Sequence, residues 1–323
     1  MKEINPAILD LFSLLCVKGV GPAKIHSLWK VSGESYRSFT EFMSKGTSLE
    51  KYLKSNQLSD FDEIRDKSIE QFSQLMEDDV VIIDYFSEEY PRRLKNILWE
   101  KAPLFLMVKG NISLLNKKSV GFCGSRKASD KGISTASDCT ELLAEQGINI
   151  NSGYASGIDM ATHRTALSAG GTTTIVLPEG INQFRIKKQI EESWDWDRVC
   201  VVSEFLPDLP WSVRNAMQRN NTIIALSKVM ILIEAGATGG SIAAGKKSLE
   251  VGVPLLAPVY EGLPESAIGN RQLLEQGAFR LHKSKSTGRA HLDWVFDVVN
   301  RTDEAQQLDN KVESEEQLGL FRK

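Results

Sequence analysis

Four short segments of this chain hold residue types suited to gripping an anion. The first is Gly124-Ser125-Arg126, within the run Gly121 to Arg126, with Lys127 beside it. The glycine permits close backbone approach, the hydroxyl donates a hydrogen bond, and a guanidinium can hold a phosphate through two. The second, Ser152 to Asp159, carries Ser152, Gly153 and Gly157, small residues that leave backbone open to a bulky ligand. The third, Arg214 to Thr222, supplies Arg214, Arg219 and Asn220; the fourth runs from Glu234 to Gly240-Ser241 and is followed by Lys246 and Lys247. Phosphate binding is the chemistry these types suit, provided the segments lie where helix N-termini expose free N–H groups.

Signs of catalysis are sparser. Asp159 and His163 stand four apart and could form an acid–base or metal pair, but no third ligand accompanies them, so they read as an i, i+4 contact that orients the loop. Glu234 is expected to accept N–H bonds from the loop that follows it, and Glu179 is the other carboxylate placed for general-base work. Cys16, Cys123, Cys139 and Cys200 show no CxxC spacing. No catalytic residue and no metal site is assigned. Tyr154, Phe184, Phe205 and Trp211 fall in loops where a base could stack, whereas Trp194 and Trp196 sit in an acidic insertion and read as a packing cluster.

Positioning these segments falls to alternating strands and helices. Residues 1 to about 75 carry helical periodicity, as in Ile8, Leu11, Phe12 and Leu15, and the pattern changes to short β-rich runs from Val80. From Ser119 onward strand runs (Val120–Cys123, Ile148–Asn151, Thr173–Leu177, Val199–Ser203, Val229–Ile233, Pro254–Ala257, Phe279–Leu281) alternate with helices, the signature of a covered parallel sheet. The chain therefore reads as α/β: an extended Rossmann-like, doubly wound, mostly parallel sheet with a small N-terminal helical domain. The expected domains are 1–78, helical; 79–285, the Rossmann-like core; and 286–323, a short helix and a flexible acidic tail.

Composition narrows the partners. Hydrophobic content of 41% with 25% charged residues is that of an ordinary globular protein. A net charge of −3 rules out adhesion of nucleic acid over the whole surface, so such binding needs a local basic patch. The apolar run Ala7 to Val17 is too short to cross a bilayer and is interrupted by Asp10, so a cytoplasmic protein without membrane association is expected. No cofactor is expected: the first loop lacks GxGxxG, Asn151-Ser152 stands where an NAD site would place an acid, and no GxxxxGK[ST] occurs.

Taken in order, Gly124-Ser125-Arg126, Ser152-Gly153-x-Ala155-x-Gly157-Ile158-Asp159 with Ala161 and His163, Arg219-Asn220, Leu226-Ser227, Glu234-Ala235, Gly240-Ser241 and Gly277-Ala278 resemble the DNA-processing protein A (DprA, or Smf) family. The resemblance reaches upstream through Tyr90-Pro91-x-x-Leu94 and covers roughly residues 80 to 281. It implies a core that forms a homodimer, binds single-stranded DNA in a positively charged pocket and loads a RecA-type recombinase during DNA uptake (transformation) and recombination, with no catalysis. By the resemblance, Arg126, Arg219 and Asn220 contact phosphates; Ser152, Gly153 and Gly157 shape the floor; and Gly240 with Ser241 closes the rim. Departures lie at Ala216-Met217 in place of Phe-Pro, at Asn182 to Arg185 where Tyr-Pro is missing, at Pro178 in place of a glycine, and at the rearranged Gly269-Asn270-Arg271; no winged-helix segment fits after residue 283. Two other readings stay open: a nucleotide-derivative sensor or phosphoribohydrolase-like enzyme, which needs Glu179 or Glu234, and a pure adaptor.

Two outlying segments add possibilities. Val17 to Ile25 resembles a helix-hairpin-helix, with Gly19 and Gly21 in the turn and Lys24 beside it; the same spacing also suits a plain turn between packed helices. Gln317, Leu318, Leu320 and Phe321 are similar to the short peptide that docks bacterial proteins into the sliding clamp, or form an apolar end that folds back on its own domain.

Overall fold

The computed structural model describes residues 4–260 and 267–301. Gln317, Leu318, Leu320 and Phe321 lie outside the described residues. The chain divides into two compact units, Met1–Tyr90 with Leu98–Lys109 and Pro91–Ile97 with Gly110–Lys323.

The first unit packs α1 (Pro6–Cys16), α2 (Pro22–Ser32), α3 (Tyr36–Ser44), α4 (Ser55–Ser59) and α5 (Phe61–Glu77) with β1 (Val80–Asp84) and β2 (Phe105–Gly110). Asn5 starts α1 by accepting the Ala7 N–H at 3.0 Å, with Pro6 preset for the first turn. The strands pair antiparallel, Val80 opposite Lys109 and Asp84 opposite Phe105. Phe12 of α1 meets Phe72 of α5 edge-on at 4.9 Å and Phe105 of β2 at 5.5 Å. The change of periodicity near residue 78 thus marks where helix gives way to strand, while the helical core continues into β2.

After α6 (Arg92–Leu98), the second unit alternates β3 (Ser119–Cys123), α7 (Asp130–Glu145), β4 (Asn149–Ser152), α8 (Ile158–Ser168), β5 (Thr173–Val176), α9 (Lys188–Glu191), β6 (Val199–Ser203), α10 (Val213–Leu226), β7 (Val229–Leu232), α11 (Gly240–Glu250), β8 (Leu255–Pro258), α12 (Ile268–Glu275), β9 (Phe279–Leu281) and α13 (Asp293–Asn300). Its strands run in the order β6-β5-β4-β3-β7-β8-β9, every neighbouring pair parallel. This is the doubly wound α/β sheet expected from the alternation. Successive strands from β3 grow toward one edge, and those from β7 toward the other. The switch point lies between β3 and β7, where a crevice opens outside the strands' carboxyl ends.

Helices on both faces leave the central strands buried but for the half-buried Cys123 at the end of β3, which is why they read as largely apolar runs. Val120, Phe122, Ile150 and Ile231 pack with Leu143 of α7 and Val295 and Val299 of α13 in one core cluster. A polar chain crosses the same sheet. Asn149 Nδ2 donates to Asn151 Oδ1 and to Thr174 Oγ1, each at 2.9 Å, and Asn151 Nδ2 donates to Ser119 Oγ at 2.9 Å and Ser227 Oγ at 3.0 Å.

Candidate nucleic-acid interface

Three strand-end loops interlock around Gly124-Ser125-Arg126, which follows β3. The Ile158 N–H donates to the Ser125 carbonyl at 3.2 Å, and Ser241 Oγ at the start of α11 donates to the Gly124 carbonyl at 2.8 Å. Gly157 opens α8 with φ of +77°, and a Cβ there would stand 2.2 Å from the Ser125 carbonyl oxygen. Both facts demand glycine. Within the loop, Ser125 Oγ accepts the Lys127 N–H at 3.1 Å.

Two adjoining cavities open on this loop. One, of about 470 Å³, lies at the switch point and is lined by Ser125, Arg126, Arg219, Asn220, Gly240 and Ser241 among others. The other, of about 450 Å³, is lined by Tyr154, Glu179, Gln183, Arg185, Lys187 and Trp211. Arg126, Ala155 and Arg219 line both. Arg126 is exposed, and its guanidinium carbon stands 5.8 Å from the centre of the Trp211 ring, a cation–π arrangement on an indole that is 47% exposed. A flat base could stack on that indole while the arginine holds the adjoining phosphate.

Arg219 forms the floor rather than the rim. It is only 5% exposed and lies so close to the backbone of Gly153 that a Cβ there would meet Nη1 at 1.9 Å. One Nη lies 3.8 Å from the Asp159 carboxylate, and Nε has no hydrogen-bond partner among the described residues. Burial pushes its pKa down, opposed by Asp159 and Glu204. Glu204, held by Gln218 at 2.9 Å and by the Thr222 hydroxyl, is itself pushed up by burial. A buried guanidinium with an unused donor keeps positive potential aimed at whatever enters the cavities.

Lys187 was not anticipated. Its amine donates to the Tyr154 carbonyl and stands 4.2 Å from the centre of the Tyr154 ring, its N–H donates to the Tyr154 hydroxyl at 2.9 Å, and burial lowers its pKa. The basic run Arg185-Ile186-Lys187-Lys188 in the connection between β5 and β6 was the signal that could have found it. Tyr154, Phe184, Trp194 and Trp196 pack on one another, with 5.4 Å between Tyr154 and Phe184 and 5.0 Å between the two indoles, as expected of the tryptophans. Of the four loop aromatics, Trp211 is the exposed one.

Several expected roles change. Ser152 is fully buried and donates to the Phe122 carbonyl at 2.9 Å, so it fixes β4 to β3 and does not reach the cavities. Lys127, Arg214 and Lys246 are exposed but line neither cavity. Asp159 and His163 do not bond each other. Asp159 accepts the Ala155 N–H at 3.2 Å, and His163 donates through Nε2 to the Gly153 carbonyl at 2.5 Å while Nδ1 meets the Thr173 hydroxyl at 2.7 Å. Each therefore anchors the loop separately. Glu234 accepts from the N–H and hydroxyl of Ser129, ahead of α7, not from its own following loop, and being fully buried it cannot meet a substrate. Gly19 and Gly21 lie in the turn between α1 and α2, and Lys24 in the first turn of α2; Gln57 Nε2 donates to the Lys18 carbonyl of that turn at 3.0 Å. Among the described residues no group of three potential metal ligands occurs, and no helix is long and apolar enough to cross a membrane.

Fold and site together define a doubly wound α/β protein with a cationic cradle at the switch point of its sheet. Residues 81–289 match the family described as DNA recombination-mediator protein A, and the chain belongs to that family. It is 33% identical over 195 residues to Protein Smf of Escherichia coli (strain K12), covering 59% of this chain and 51% of that one. It is 31% identical over 194 residues to DNA processing protein DprA of Streptococcus pneumoniae (strain ATCC BAA-255 / R6), covering 58% of this chain and 66% of that one. The chain thus spans between half and two thirds of these relatives' length. The X-ray structure of the Streptococcus pneumoniae DprA superposes with a TM-score of 0.69 at 25% identity, over 87% of this chain and 95% of that one. A Helicobacter pylori DNA processing protein A, whose structure is described for its single-stranded DNA binding mode, shares the fold with a TM-score of 0.55 at 23% identity, over 68% of this chain and 94% of that one.

Proposed function

We propose that this chain binds single-stranded DNA across the two joined cavities, with Arg126 at their junction. The observation that carries the reading is Arg126 poised between a floor arginine and an exposed indole, Arg219 and Trp211. That arrangement serves a phosphate and a neighbouring base together, and bases are presented this way by single strands. Phosphate contact falls to Arg126, Asn220 and the α11 N-terminus at Gly240 and Ser241, with Arg219 acting from beneath. Anisotropy of a labelled oligo-dT against a duplex of equal length tests the reading; equal affinity for the two overturns it.

Family membership supports a mediator role in recombination; the same reading has the protein act without catalysis, as a homodimer in the cytoplasm, delivering bound strands to a RecA-type recombinase in recombination or transformation. Two secondary contacts belong to the same reading: the Gly19-Val20-Gly21 turn with Lys24 as a second phosphate contact, and residues 317–323 as a clamp-docking peptide. Deletion of 317–323 is expected to abolish clamp association and spare DNA binding; clamp binding by the shortened chain ends that part of the reading.

A further inference from the structure

Two carboxylates line the joined cavities, and only one has work inside the protein. Asp159 accepts the Ala155 N–H and faces Arg219. The Glu179 carboxylate makes no hydrogen bond or close ion pair with any described residue, although four cations, Arg126, Arg185, Lys187 and Arg219, line the same cavity. A bare carboxylate repels a phosphate. Its place in a cleft that binds DNA strands makes sense toward the part of an internal deoxynucleotide that presents hydrogen-bond donors, the edge of the base.

The backbone around Glu179 is pinned for such a task. Its carbonyl accepts from Ser203 Oγ at 2.6 Å, and the next N–H, of Gly180, donates to the Leu209 carbonyl at 2.8 Å. The side chain is therefore offered from a fixed point, with Trp211 and Arg126 lining the same space. Cytosine and adenine each offer a carboxylate one exocyclic amino group, and thymine offers one ring N–H between two repelling carbonyls. Guanine alone sets two donors side by side, N1–H and the N2 amino group, matching both carboxylate oxygens, and its O6 and N7 acceptors suit the cationic side of the cavity.

Resting on the single-strand reading above, we infer that the cavity lined by Glu179, Trp211 and Lys187 is a guanine subsite, in which the Glu179 carboxylate accepts from the guanine Watson–Crick edge. Binding by this chain is then not blind to sequence, because one base per strand is selected while its neighbours are held by their phosphates.

The test is anisotropy with labelled twenty-nucleotide thymine strands carrying one central dG, deoxyinosine, dA or dC; a single guanine prevents quadruplex formation. The dG strand is expected to bind roughly tenfold tighter than the all-thymine strand. Deoxyinosine, which lacks the N2 amino group, loses most of that gain. Glu179→Gln is expected to tighten binding to the all-thymine strand, since a repelling charge is removed, and to erase the dG advantage. Equal affinity of the wild-type chain for all these strands overturns the subsite and leaves single-strand binding standing, as does a dG advantage that deoxyinosine or Glu179→Gln retains. Failure of the wild-type chain to bind any strand removes the single-strand reading and the subsite with it. The inosine comparison uses the unaltered protein, so the outcome does not depend on how the variant folds.

Discussion

At the residue scale, Arg126 and Arg219 occupy different energetic positions although both are arginines of one site. Arg126 is exposed and spends little to meet a phosphate. Arg126→Ala is expected to weaken oligo-dT binding and to flatten its logarithmic salt slope by about 0.7 for each phosphate the arginine neutralises; an unchanged slope in a salt titration takes this loop out of the site. Arg219 is confined, and its tolerance depends on Gly153: Gly153→Ala sets a methyl 1.9 Å from Nη1, so the guanidinium must leave its place. That variant is expected to weaken strand binding by tenfold or more, the measure of one displaced charged hydrogen bond of about 1.5–3 kcal/mol, as read by anisotropy. His163 carries a pH signature. Burial lowers its pKa from 6.5 to about 4, so the folded protein holds it neutral while the unfolded chain protonates it below 6.5. Stability contributed by the neutral ring is complete above pH 6.5 and declines as pH falls toward 4, by on the order of 3 kcal/mol in total. Urea midpoints between pH 7 and 4.5 should fall for the wild type more steeply than for His163→Gln; parallel curves would show that the ring is charged in the fold.

At the scale of elements, the positions of the loops were legible in the sequence because strand, glycine and helix alternate strictly from Ser119 onward. The Gly157 turn is the clearest case. Its positive φ and its closeness to the Ser125 carbonyl leave no space for a side chain, so Gly157→Ala is expected to cost about 1–2 kcal/mol or more in chemical denaturation and to weaken strand binding through the displaced Ser125-Arg126 loop. Full stability in that variant would show that the loop yields freely. What spacing did not reveal were choices made in three dimensions. Glu234 turns to Ser129 at the start of α7 because β7 lies beside β3 in the sheet, a neighbour relation no local pattern records. The burial of Arg219 depends on Gly153 giving it room, and Lys187 gains its role only because its loop folds back onto Tyr154.

For the whole molecule, a net charge of −3 must coexist with affinity for a polyanion. Four cations line the joined cavities, so for one chain the salt slope is expected to stay near or below about 3 in magnitude, counting about 0.7 per cation on a single strand. A slope beyond about 6 for one chain per strand would mean that cations outside the cavities, the Lys24 turn first among them, carry much of the binding. Composition alone excluded a uniformly basic surface. It could not place the basic patch, because the cations come from loops after β3, β5 and within α10 and gather only when the sheet is assembled.

The buried chain of Asn149, Asn151, Thr174, Ser119 and Ser227 has a consequence for how such a molecule can change. Sliding β3, β4 or β5 by one residue would turn its polar side chains away from their partners, so the alignment of these three strands is written in the interior of the sheet. Exposed side chains of the strand-end loops, such as Arg126 and Trp211, can then be exchanged without endangering the fold. Selectivity for a ligand and the ability to fold are inherited separately in this architecture, which makes the strand-end loops a place where new preferences can be tried at little risk.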